Sequence, residues 1–242
     1  MENILFIRLR LLGDIIFTIP ALYLYKKHFP ENKIYYVVEE KFQEMAEVIP
    51  AIDNVLVVIH KMNMKQILDF RKMIKKIGFN TVVDFHSGPK SALLTRMSGL
   101  KTRIGYRTPN RNWAYNHLTP RKPHDFSTHS VYNQAKLLEH LGIDITTQSI
   151  PAYPSIHFPG GSAEKKIKND LSGKRKITIH AGAGNRFRDW GIENFSTLIK
   201  ILKNDNFTIF VIGNTEKEKQ RGQYLKRNLE IIDLTGKLSF KD

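Results

Sequence analysis

Apolar positions along this chain follow two alternating rhythms. Short, nearly unbroken runs mark strands, and between them lie stretches whose apolar residues step by three and four, as on one face of a helix. Ile4–Leu9, interrupted by Arg8, reads as a buried parallel strand. Gly13 then allows a tight, close-approach turn, and Asp14 stands where a helix N-cap belongs, ahead of Ile15, Ile16, Ile19, Leu22 and Leu24. Pro20 either bends that helix or marks where it begins. Lys33–Val38 and Asn54–Ile59 read as further strands, with a short helix over Glu40–Ile49 that Pro50 ends. Met64–Ile77 is a helix with Ile67, Phe70, Ile74 and Ile77 inward, stopped by Gly78. Thr81–Phe85 is a strand, His86-Ser87-Gly88 a turn, Lys90–Met97 a helix and Thr102–Gly105 a short strand. This alternation predicts an α/β fold on a parallel, doubly wound sheet.

The rhythm breaks at Arg107–Phe126, a loop-like segment with three prolines, the aromatic residues Trp113, Tyr115 and Phe126, and the bases Arg107, Arg111, Arg121 and Lys122. It resumes in a helix over Ser130–Leu141, closed by Gly142. Thr146–Gly173 lacks periodicity and holds Pro151, Pro154, Pro159, Gly160 and Gly161, so a linker over 151–173 is expected between domains at 1–150 and 174–242. The second domain starts with a strand at Lys176–His180, continues through a helix at Ile192–Leu202, and adds strands at Phe207–Ile212 and Leu229–Leu234 around a helix at Glu216–Arg227.

Composition narrows the partners. The chain has no cysteine, which excludes disulfides and thiolate zinc sites, and its formal net charge of +15 favours polyanions. No helix-turn-helix, zinc-finger or RNP pattern supports nucleic acid, and the basic residues are spread through the elements. An anionic membrane face or a phosphorylated substrate accounts for the same charge. The first residues lack a basic n-region, and Arg8, Arg10 and Asp14 interrupt the apolar run a signal peptide needs, so a cytoplasmic location is expected.

Two places carry candidate chemistry. Asp14 is either a capping residue or a base, because a carboxylate at the carboxyl end of the first strand of an open α/β sheet faces the ligand crevice. Gly182-Ala183-Gly184 follows a strand as a dinucleotide fingerprint would, but Phe187 stands at the third glycine and Gly213 ends the next strand where an acid is needed. The small residues still let backbone N–H groups approach phosphate oxygens. His117, His124 and His129 match no metal spacing, and no metal site is expected.

Arg8, Leu12-Gly13-Asp14, Thr18, Pro20-Ala21-Leu22 and Phe29-Pro30 together resemble the opening signature of glycosyltransferase family 9, the heptosyltransferases of the lipopolysaccharide inner core. Val82–His86, Ser91–Leu94 and Arg103–Tyr106 resemble the family's aspartate strand, small-residue helix and Arg-Ile-Gly turn. His180–Phe195, with Gly182, Ala183, Arg188 and Trp190, resembles its donor-phosphate segment, with Arg188 where lysine is usual. Gly213 and Glu216 resemble a Gly-x-x-Glu near the nucleoside ribose, although Glu216 equally suits a helix N-terminus.

The resemblance implies a GT-B-like fold of two Rossmann-like halves, the second incomplete, because the family continues with an Asp-Ser/Thr-Gly segment and a histidine that this chain does not supply. A fragment or a truncated product is therefore expected. It implies an inverting transfer of heptose from ADP-heptose, or a related nucleotide sugar, to an acidic lipid-linked oligosaccharide at the inner face of the inner membrane, without a cofactor. Asp14 would be the base, Gly13, Gly182, Ala183, Gly184, Arg188 and Glu216 the donor contacts, and Arg107, Arg111, Arg121 and Lys122 a clamp for the acceptor. The alternative is a truncated, non-catalytic module that binds anionic glycolipid or a membrane surface.

Overall fold

A computed structural model describes residues 2–120, 128–146, 150 and 175–238. The chain divides into two compact units, Met1–His157 and Phe158–Asp242. The expected linker over 151–173 lies outside the described residues.

The first unit contains β1 (Asn3–Ile7), β2 (Lys33–Glu39), β3 (Asn54–Val58), β4 (Thr81–Asp84), β5 (Thr102–Tyr106) and β6 (His117–Thr119). They form one parallel sheet in the order β3-β2-β1-β4-β5-β6. Its helices are α1 (Leu12–Ile16), α2 (Ile19–His28), α3 (Gln43–Glu47), α4 (Met64–Ile77), α5 (Pro89–Ser98) and α6 (Ser130–Ala135). Because side chains alternate across a strand, β1 supplies both faces of the core. Ile4 and Phe6 join the side chains of α2, α3 and α6 on one face, while Leu5 and Ile7 join Ile67, Phe70, Ile74 and Leu94 on the other. A strand buried on both faces reads as a continuous apolar run, as β1 does.

Local signals set several boundaries. Pro20 is the second residue of α2, so it marks a helix start, and α1 is a separate short turn before it. Asn63 caps α4 by accepting from the Gln66 backbone at 2.9 Å, and the Gln66 side chain accepts from the Asn63 backbone at 2.8 Å. The helix expected over Ser130–Leu141 changes to a 3₁₀ turn after Ala135, and the strand expected over Leu229–Leu234 shrinks to Ile232–Asp233. The segment read as a loop from Arg107 contains β6 and a 3₁₀ turn at Asn112–Ala114. That turn is fixed from outside the segment, since the Arg103 side chain donates to the Ala114 carbonyl at 3.0 Å. No short-range periodicity announces it.

The second unit contains β7 (Arg175–His180), β8 (Phe207–Ile212) and β9 (Ile232–Asp233), parallel and in that order, with α7 (Ile192–Asn204) and α8 (Glu216–Asn228). Ile179, Ile199, Ile209, Val211 and Leu225 form its core.

The core of the first unit hinges on Phe6, which stacks on Phe85 at 5.2 Å and meets the edge of Tyr25 at 5.5 Å. Phe6→Ala is expected to cost about 3–5 kcal/mol, seen as a lower urea midpoint by circular dichroism. An unchanged midpoint would mean that this face of the core does not depend on the ring.

Candidate functional site

In the first sheet the connections run away from the middle in opposite directions on either side of β1 and β4. The crevice outside the carboxyl ends of such a strand pair is where open α/β sheets bind ligands. Two loops meet there, Arg8–Leu11 after β1 and Phe85–Gly88 after β4.

Arg8 links these loops. Its guanidinium is buried, donates from Nη1 to the Phe85 carbonyl at 2.7 Å and pairs through Nη2 with the Asp14 carboxylate. Asp14 lies in α1, with its side chain 38% exposed, and accepts from the Leu11 backbone at 3.4 Å. Asp14 is thus the third residue of α1, whose N-cap position is held by Leu11, and not the N-cap expected from the sequence. Gly13 needs correction: it is a helical residue of α1, and a Cβ there would meet nothing within 4 Å. No close approach within the protein requires this glycine; it leaves open space beside Asp14.

The β4 loop is built on Asp84. One carboxylate oxygen accepts from the His86 and Ser87 backbones at 2.8 and 2.9 Å, and the other from the Tyr115 hydroxyl at 2.7 Å. Burial pushes the Asp84 carboxyl above the usual range, against these donors. Arg111 Nε donates to the Ser87 carbonyl at 2.9 Å, which brings this predicted acceptor residue to the same loop. Arg107 stands exposed beyond β5, and Arg121 and Lys122 lie outside the described residues. His86 is half-buried, with Nδ1 unpartnered. Burial, then the charges of Arg8 and Arg10, lower its pKa to about 4.

Beside this crevice, the buried Glu39 at the end of β2 accepts from Lys90 Nζ at 3.2 Å and lies 3.0 Å from His60 Nδ1. Burial raises the Glu39 pKa, but His60 and Lys90 more than offset that, and the carboxyl sits below the usual range.

In the second unit the segment 181–191 joins β7 to α7 and carries Gly182, Ala183, Gly184 and Arg188. Arg188 is exposed, and its backbone N–H donates to the Asn185 side chain at 3.1 Å. Sequence reasoning missed the staple that holds this loop. Asp189 accepts two bonds from Arg221, both 2.8 Å, and one from Lys217 at 2.6 Å, which together hold its carboxyl far below the usual range. Arg221 also donates to the Ala181 carbonyl at 2.9 Å, so α8 grips the loop near both ends.

Glu216 is exposed at the first position of α8, and the buried carboxylate of that turn is Glu218. Glu218 accepts from the Asn214 and Thr215 backbones at 2.8 Å each and lies 3.2 Å from His180 Nε2. Burial raises its pKa, while the Thr215 and Asn214 amides lower it further, leaving a net downward shift. Gly182 and Gly213 are both glycine for this reason: a Cβ at either would run into the Glu218 side chain, and Gly213 also has φ +152°. The Thr215-x-x-Glu218 capping box is the local signal by which the sequence could have shown Glu218.

Among the described residues no His, Cys, Asp or Glu cluster is arranged to hold a metal, and no helix is long and apolar enough to cross a membrane.

A family model, glycosyltransferase family 9 (heptosyltransferase), matches residues 67–242. A putative glycosyltransferase of Haemophilus influenzae is 28% identical over 231 residues, covering 90% of this chain and 66% of that protein. Lipopolysaccharide heptosyltransferase 1 of Campylobacter coli is 25% identical over 215 residues, covering 83% and 60%. The chain thus spans 66% and 60% of the lengths of these curated relatives. The solved structure of the E. coli heptosyltransferase WaaC with ADP superposes with a TM-score of 0.75 at 20% identity, covering 99% of this chain and 76% of that one. The shared fold is α/β of the GT-B type.

The pKa of His86 makes its protonation state testable. Because the folded protein binds this proton less readily than the unfolded chain, the contribution of His86 to stability is complete above its usual value of 6.5 and is lost as the pH falls towards 4. Its ring resonances are expected to titrate near pH 4 and to stay still through neutral pH. Movement centred near 6.5 would contradict a neutral, desolvated imidazole.

Proposed function

Because the chain belongs to glycosyltransferase family 9, we propose that it transfers heptose from ADP-heptose to an acidic, lipid-linked acceptor of the lipopolysaccharide inner core, inverting the anomeric configuration. The observation that carries this reading is Asp14, a part-exposed carboxylate held by a buried arginine at the switch point of the first sheet. Asp14 lies before the span that the family model matches, so its role rests on this geometry and on the sequence signature around it.

In this mechanism Asp14 takes the proton of the acceptor hydroxyl as that oxygen attacks the anomeric carbon. The new glycosidic bond forms on the face opposite the breaking bond to the diphosphate, and ADP leaves with the electron pair. Arg188 and the backbone amides of Gly182–Gly184 neutralise the departing charge, with Gly13 leaving room beside the base. Arginine presents a planar fork to phosphate where lysine presents a point charge, so Arg188 suits a bidentate grip. Glu216 and Glu218 compete for the ribose role; Glu218 is already committed to two amides, whereas Glu216 is exposed. Arg107 and Arg111, with Arg121 and Lys122, meet the acidic acceptor. The first unit thus takes the acceptor and the second the nucleotide sugar, at the cytoplasmic face of the inner membrane and without a cofactor. The ADP in the WaaC structure supports the choice of nucleotide.

Two measurements test this. Calorimetry of ADP with the 242-residue chain is expected to show binding that Arg188→Ala weakens roughly tenfold or more, as for a charge-assisted hydrogen bond; no binding would favour the non-catalytic module. Asp14→Asn is expected to leave ADP binding intact and to lower kcat by about 10²- to 10⁴-fold. A wild-type rate in that variant would remove Asp14 as the base.

A further inference from the structure

We propose that the exposed face of α4 is a docking surface for an anionic lipid bilayer. The inference deepens the proposed function and rests on it only for the reason a membrane is met. Its geometry belongs to the first unit alone.

Helix α4 is anchored by Ile67, Phe70 and Ile74, which are buried beneath it. Its opposite side needs no apolar residue for packing, yet Met64 is 64% and Leu68 43% exposed, one turn apart. On the same exposed side lie Lys65, Lys72, Lys75 and Lys76. With Arg71, α4 carries five basic residues against one acid, Asp69, which lies 3.8 Å from Lys72.

Apolar side chains set among lysines are the composition of an interfacial helix. The apolar groups enter the headgroup boundary, and the lysines keep their charge at the anionic surface with their stems lying along it. Of the other large exposed apolar groups, Val57 and Ile59 lie at and just past the end of β3, Leu11 and Leu12 beside Asp14, and Phe187 and Trp190 around Arg188, while Trp113, Ile201 and Tyr224 are each the one such residue of its element. Charge complementarity decides the occupant. A protein partner or second copy would need a dense acidic face, whereas an anionic bilayer offers negative charge and an apolar interior together. The Asn63 cap and the buried stripe hold this face rigid before any contact, so docking requires no ordering of α4.

The test is co-sedimentation of the chain with vesicles of phosphatidylglycerol and phosphatidylethanolamine, against vesicles of phosphatidylcholine alone. Binding is expected on the anionic vesicles only, weakening as salt is raised. Met64→Asp/Leu68→Asp and Lys72→Glu/Lys76→Glu are each expected to lower the partition coefficient at least about tenfold. The charge-matched control Lys200→Glu/Lys226→Glu, at exposed positions of the second unit, is expected to change it less than about threefold. Circular dichroism confirms that each variant folds, since none of the replaced side chains is buried. Asp14→Asn should keep full lipid binding, which separates failure of this surface from failure of the transferase reading. An equal loss in the control would overturn the proposal, because net charge alone would then account for binding. So would vesicle binding that the α4 variants leave intact while they abolish binding to random-sequence DNA.

Discussion

A guanidinium taken out of water needs an opposing charge and acceptors arranged around its plane, because a buried ion left without them is strongly destabilising. Arg8 meets that demand at Nη1 with the Phe85 carbonyl and at Nη2 with the Asp14 carboxylate, while its buried Nε has no hydrogen-bond partner among the described residues. The pairing works only because β1 and β4 are neighbours, with Ile7 opposite Asp84 in register, so that the chain leaves both strands at the same level. The first candidate site therefore inherits its position from the sheet. Asp14 is aimed by an arginine that is itself held by the next strand, and α1, only five residues long, contributes little rigidity of its own.

The second unit uses the same physical device with different residues. A loop after a strand has free amides and no regular partner, and a nearby carboxylate, from the helix that follows or from the end of the strand itself, supplies the acceptors. Glu218 does this for Asn214 and Thr215, and Asp84 does it for His86 and Ser87 in the first unit. Asp189 reverses the arrangement: the loop supplies the carboxylate and α8 supplies the cations. In each case the polar groups that shape the loop are consumed by the protein. The groups left open to water are Arg188 and Gly184 in the second unit and the part-exposed Asp14 in the first.

The neighbouring titratable groups stay in different charge states at neutral pH because their surroundings differ. His86 is kept neutral by burial between two arginines, and Glu39 is kept ionised by Lys90 and His60 despite its burial. The crevice is thus bordered by one neutral imidazole and one compensated carboxylate, and Arg8, Arg10 and Arg111 add positive charge to it. That balance suits an anionic ligand approaching a single carboxylate.

The strands, the longer helices and the position of Asp14 just past the first strand were legible in the amino-acid order, because periodicity, caps and glycine stops act over a few residues. Pro20 and Gly78 mark their boundaries through their own covalent chemistry and need no distant partner. What lay beyond reach were the contacts between residues far apart in the chain. Arg8 and Phe85 are 77 residues apart, Asp189 and Arg221 are 32, and Tyr115 and Asp84 are 31. Strand order chooses those partners, and no local pattern encodes it. The same holds for Glu218 against Glu216: both acids suit the first turn of a helix, and only the packing of α8 against the ends of β7 and β8 buries one and leaves the other in water.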